Sequence, residues 1–197
     1  MVELTYQEII GGIAFLISLV GSLIYIKSIL KGETTPHLFT WIIFGILTTI
    51  AFLAQIHDHG GPGAWSMGIT ALSCISIAVL SLKYGEKIFT LSDKIAFGAS
   101  LTAILPWLLT DDPLGSVVLI SLIDTVAMFP TLRKSWNKPY GENLTTYGIA
   151  NVKTILSLAA LTNLTLTTTL YPVAITLVNT GLIILCLWRR KALETNI

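Results

Sequence analysis

Apolar residues along this chain come in blocks of about twenty rather than in alternation, and short polar stretches rich in Pro, Gly and charge separate the blocks. A helix needs about 20 apolar residues to cross the ~30 Å hydrocarbon core of a bilayer. Seven segments approach that length: 8–30, 38–56, 64–83, 94–109, 114–134, 143–163 and 169–188. The fourth is the shortest and holds Pro106, whose missing N–H frees a carbonyl and kinks a helix. The period-two pattern of barrel strands is absent. The expected fold is all-α and integral to the membrane, with seven transmembrane helices, short loops and no room for a soluble domain.

Composition sharpens this. The 197 residues are 53% hydrophobic and 12% charged, with a mean hydropathy of +0.78, whereas a soluble domain carries about 25% charged residues. The net charge of +1 says nothing about nucleic acid, and no basic run is long enough to suggest it, so no nucleic-acid partner is expected. Cys74 and Cys186 both sit inside apolar blocks, so neither a disulfide framework nor a zinc site is expected. No cofactor is implied. The opening "MVELTYQE" is acidic where a signal peptide needs a basic region, so the first block is expected to remain in the mature protein.

Loop charge gives an orientation. Lys27, Lys31, Lys83, Lys87, Lys94, Arg133, Lys134, Lys138, Arg189, Arg190 and Lys191 follow the first, third, fifth and seventh segments. The other ends carry Asp58, Asp111 and Asp112, and the remaining basic residue is Lys153. The positive-inside rule then places the N-terminus outside and the C-terminus in the cytosol of a multi-pass cell (plasma or inner) membrane protein. Trp65, Trp107 and Tyr171 mark outer ends, and Trp41, Tyr84, Trp136 and Trp188 inner ones.

A shift of 106 residues lays the first three segments on the last three without a gap. Lys27 meets Arg133, Leu38 meets Leu144, Trp41 meets Tyr147, Thr48 meets Thr154, Trp65 meets Tyr171 and Lys83 meets Arg189. Loops, basic residues and aromatics coincide at one offset. The chain therefore divides into a first three-helix bundle (1–90), a linking fourth helix (91–112) and a second three-helix bundle (113–197). The odd linking helix makes the two bundles parallel.

Within this plan, "PTLRKSWNKPYGENLTTY" (Pro130 to Tyr147) runs from a proline through a basic stretch to a polar turn, and "YIKSILKGETTPHLFTW" (Tyr25 to Trp41) is its degenerate counterpart. The chain resembles the PQ-loop superfamily, which includes the SWEET sugar transporters and vitamin transporters for nicotinamide riboside. Thr131 stands where the superfamily has Gln, and Ile24 lies opposite Pro130. The resemblance implies a transporter or facilitator for a small polar solute, bound near the midplane with alternating access. Pro130 would then be a hinge, and Trp41 and Tyr147 either gates or interface anchors.

Polar residues at mid-depth are the candidate site. An ionisable group at the bilayer centre costs roughly 2.5–3.5 kcal/mol on insertion scales. Asp124, Asn151, Lys153 and Asn179 all lie about halfway along their segments, and Ser73 is the repeat counterpart of Asn179. Asp124 and Lys153 fit two readings, a buried ion pair that fixes packing or a substrate or proton site between repeats. Thr146, Ala150, Lys153, Ser157 and Ala160 share one helical face, and Asn151 faces nearly the opposite way; one of Lys153 and Asn151 is expected to face a cavity while the other packs. "IHDHGG" could hold a metal or be a solvated loop, and no metal site is assigned to it. A receptor or sensor without a transport cycle is the alternative function. A chromophore protein would carry its lysine on the last helix, whereas Lys153 is on the sixth. No His, Cys or Ser constellation suggests an enzyme. Expected partners are membrane lipid and a small solute, with homo-oligomers possible.

Overall fold

The computed structural model of the chain describes residues 4–85, 91–103, 105–141 and 143–194, leaving out the side chains of Ser92, Asp93, Ala96, Phe129, Pro130 and Lys134. Lys87, and the side chains of Pro130 and Lys134, therefore lie outside the described residues. The described residues are helical, with no strand: α1 Tyr6–Leu30, α2 Leu38–His57, α3 Trp65–Tyr84, α4 Leu91–Thr102, α5 Leu105–Thr110, α6 Pro113–Ala127, α7 Phe129–Asn137, α8 Leu144–Ala159 and α9 Leu166–Glu194. Polar caps set several starts by satisfying N–H groups that a first turn leaves free. Thr5 and Glu8 form a reciprocal capping box on α1, Asp112 accepts from Leu114 N at 2.9 Å, and Asn143 accepts from Thr145 N at 3.1 Å.

Five stretches are long and apolar enough to cross a membrane: α1, α2, α3 with the short turn before it (Gly61–Tyr84), α6 with α7 (Pro113–Asn137), and α9. This is an all-α, multi-pass membrane protein. The two other expected segments are shorter. The fourth is broken into α4 and α5, with Pro106 at the start of α5 unable to continue the ladder. The sixth is α8, only 16 residues, about 24 Å of helix.

Apolar side chains face outward and small polar ones face inward. Leu16, Val20 and Leu23 on α1, Leu72, Val79 and Leu82 on α3, and Leu177, Ile184 and Leu187 on α9 are exposed, while Ser18, Thr48, Ser73, Ser121, Thr154 and Ser157 are buried. Lipid makes the outward leucines favourable. Apart from Ser157, these inward hydroxyls are satisfied by their own helices: Thr48 donates to Phe44 O at 2.6 Å, Ser121 to Val117 O at 2.7 Å and Thr154 to Ala150 O at 2.8 Å. Such small residues let helices approach closely.

In the first half α3 packs against both α1 and α2; in the second, α9 packs against both α6 and α8. Across the halves α1 meets α8, and α2 meets α6. The α2–α3 and α8–α9 turns lie at one end of the molecule, here the upper, and the last turns of α9 at the other. At the upper end, Gly11 of α1 sits against Pro62, and the His57 and Trp107 rings meet edge to face at 5.7 Å. At the lower end, Trp136 and Trp188 lie 5.5 Å apart with Arg189 stacked 4.8 Å over Trp136. There Glu194 accepts from the Tyr140 hydroxyl at 2.9 Å, a bond that holds the phenol above its ordinary pKa.

Pro172 interrupts the ladder of α9. Lacking an N–H, it leaves Thr168 O without its helical donor, and the Gln55 amide of α2 fills that place at 2.9 Å. Both Gln55 and Thr168 are buried. We expect Gln55→Leu to destabilise the wild-type protein by about 1 kcal/mol more than it destabilises Pro172→Ala, where the restored N–H already serves Thr168 O. Thermal unfolding of the two singles and the double measures this. Additive effects would remove Thr168 O as the shared acceptor.

Candidate functional site

A cavity of about 400 Å³ lies where α2 and α3 meet α6, α8 and α9. Its charged group is Asp124, on the inner face of α6. Asn179 enters from α9, with Tyr171 and Val178 beside it. Trp41, Phe44 and Thr48 come from α2, Thr70 and Cys74 from α3, and Tyr147 and Ala150 from α8. Asp124 is half-buried and Asn179 buried. Neither the Asp124 carboxylate nor the Asn179 amide has a hydrogen bond to a described residue. A carboxylate and an amide opening without partners among the described residues into one cavity make a candidate binding site, since buried polar groups otherwise find partners. A larger groove, about 520 Å³, runs along α2, α3 and α4 but is lined by side chains such as Ile42, Leu53 and Val79, with no charge and no amide. It offers nothing to orient a polar ligand.

Four of the residues singled out in the sequence converge here: Asp124, Asn179, Trp41 and Tyr147. Trp41 also touches Tyr25, their ring centroids 5.0 Å apart. Lys153 lies behind the wall. Its ammonium donates to Thr70 Oγ1 at 3.2 Å, and Thr70 in turn donates to Ser66 O at 2.7 Å. Asp124 and Lys153 form no ion pair with each other or with any other described residue. Asn151 packs instead against α9, donating to Thr180 Oγ1 at 2.9 Å, and Ser73 is closed on Ile69 O at 2.6 Å. Neither lines the cavity. Pro130 belongs to the start of α7, where the helix running down from α6 is interrupted at Met128. The placement of Lys153 has a simple origin: its stripe on α8 faces the first half, and Ser157, one turn above it, donates to Gly63 O at 2.6 Å.

Sequence reasoning missed Tyr171. It occupies the position of an interface aromatic, yet it is buried at 2% exposure and lines the cavity. It also missed how the upper end closes. The Thr165 hydroxyl donates to the Asp58 carboxylate, Asn163 Nδ2 to Asp58 O at 2.9 Å and Thr162 Oγ1 to His59 O at 2.7 Å. These bonds join the α2–α3 turn to the α8–α9 turn and so close the upper end of the molecule. "IHDHGG" is thus a joint between halves, and among the described residues no group of three or more His, Cys, Asp or Glu side chains comes together. The glycine-rich composition of one turn and the Thr/Asn composition of the other were the available signal. No protein family, curated protein or solved structure matches this chain.

Proposed function

We propose that the chain is a membrane transporter or facilitator for a small polar solute, of the PQ-loop and SWEET-like kind. The reading comprises seven crossings, two like-oriented helix triplets (α1–α3; α6 with α7, α8 and α9) and a linking segment α4–α5, with the upper end outside. The observation that carries it is the Asp124 carboxylate and Asn179 amide, without partners among the described residues, in one cavity between the halves. Three further features support it. Each triplet has its third helix packed between the first and second, and the halves meet by reciprocal pairs, α1 on α8 and α2 on α6. Polar contacts at the upper end tie the α2–α3 turn to the α8–α9 turn. The lower end carries Lys27, Lys31, Lys83, Arg133, Lys138, Arg189 and Arg190, as a cytosolic face would. Solute binds near the midplane between repeats, and the triplets rock about it.

Proteoliposomes test this. Protein-dependent flux of at least one class in a panel of labelled cationic, neutral and anionic solutes is expected, abolished when Ala150→Trp fills the cavity. Saturable binding without flux would mark a receptor instead. In intact cells, cysteine placed at Asp112 should react with an impermeant thiol reagent and cysteine at Lys138 should not; the reverse, or reaction at both, sinks the topology.

A further inference from the structure

The geometry points to a protonated organic amine as the occupant of this cavity, an inference that rests on the transport-site reading above. Asp124 is the charge among the lining residues, and no cation among the described residues answers it: Lys153 is turned away onto Thr70 and does not line the space. A lone carboxylate in a cavity between membrane-spanning helices favours a cation.

The hydroxyls agree in sign. Thr48, Ser121, Thr125 and Thr70 each give their proton to a carbonyl of their own helix, at 2.6, 2.7, 2.7 and 2.7 Å. What they present to the cavity is oxygen lone pairs. With the Asp124 carboxylate these acceptors suit the N–H donors of a cationic ligand, while the Asn179 NH2 stays a donor for a polar group elsewhere on it. Aromatic rings complete the lining, with Trp41, Phe44, Tyr147 and Tyr171 from three helices. Ring faces attract an ammonium group and cover an apolar body. A bare metal ion would instead need several anionic or imidazole ligands, and among the described residues no group of three or more His, Cys, Asp or Glu side chains comes together.

The probes are 2-phenylethylammonium, 2-phenylethanol and phenylacetate, one scaffold in three charge states. Equilibrium binding to the full chain in nanodiscs, corrected with empty nanodiscs, should show the amine binding at least about tenfold more tightly than the other two. Asp124→Asn should remove that preference while retaining the native elution profile. Lys153→Met, which clears a cation from behind the wall, should bind the amine at least as tightly as the wild type. All binding should vanish in Ala150→Trp. Preference for phenylacetate or 2-phenylethanol, lost in Ala150→Trp, would overturn the amine and leave the cavity as the site. Failure of the wild-type chain to bind the amine saturably, or amine affinity unchanged by Asp124→Asn, also overturns it. Binding that survives Ala150→Trp would overturn the cavity itself.

Discussion

Gly63→Val is expected to prevent the upper end from assembling, at a cost of about 3 kcal/mol or more. A Cβ at residue 63 would stand 2.6 Å from Leu161 N and 2.6 Å from Ser157 O. Those are backbone atoms at the end of α8, and no rotamer change moves them. Ser157 adds a tie, donating its hydroxyl to Gly63 O at 2.6 Å, so the two halves are held at a spacing only glycine permits. Valine must push the α2–α3 turn off α8, exposing the contacts around Ala64, Leu161 and Gln55, all buried. Adjacent glycines in α1 provide the internal control. A Cβ on Gly11 would lie 2.6 Å from Pro62 O, whereas one on Gly12 meets nothing within 4 Å. Gly11→Ala should therefore lower the melting temperature, and Gly12→Ala should leave it unchanged or raise it, since alanine is favoured over glycine in a helix by about 1 kcal/mol. Fluorescence-detected size exclusion after heating measures all three. Equal melting for Gly11→Ala and Gly12→Ala would mean that α1 is not fastened to the turn at Pro62.

The helices were legible because lipid imposes a length on apolar blocks and punctuation between them. Leu38 and Leu144 open α2 and α8 at the repeat offset, each behind a residue in extended conformation, His37 and Asn143. The break at Pro106 was legible for the same local reason. The shortness of α8 was not: its apolar run continues through Leu161, but the chain leaves the helix after Ala159 to make its turn against Gly60 and Gly63. That stop is tertiary. Asp124 and Asn179 could be found in the sequence because a polar group at mid-depth needs a reason. Lys153 and Asn151 could be singled out but not assigned, since helical spacing says which residues share a face and not which neighbour the face meets. Tyr171 was misread because an aromatic near a helix start fits a membrane-interface belt as well as a cavity wall. Gln55, Asp58 and Thr165 were invisible as a set, their partners lying over a hundred residues away along the chain.

Asp58→Ala should raise by about tenfold the rate at which the cavity reacts from the upper side. The Thr165 hydroxyl donates to the Asp58 carboxylate across the halves, and a hydrogen bond to a charged group contributes about 1.5–3 kcal/mol. Each 1.4 kcal/mol is about a tenfold change in an equilibrium constant. Alanine removes that bond alone. Asn163 Nδ2 still donates to the residue-58 carbonyl at 2.9 Å, and Thr162 Oγ1 to His59 O at 2.7 Å. The seal is thus weakened and not dismantled, so the folded state persists and opening becomes more frequent. Asp58→Asn keeps an acceptor without the charge and should give a smaller rise. The reporter is a single cysteine at Ala174, which lines the cavity, in a chain with Cys74 and Cys186 replaced by alanine. An impermeant thiol reagent is applied from outside and the modification rate compared. If the rate in Asp58→Ala equals that of the parent, the joint between the two turns is a rigid clamp. The halves would then have to part elsewhere, and the upper end could not be the moving seal that the proposed transport cycle requires.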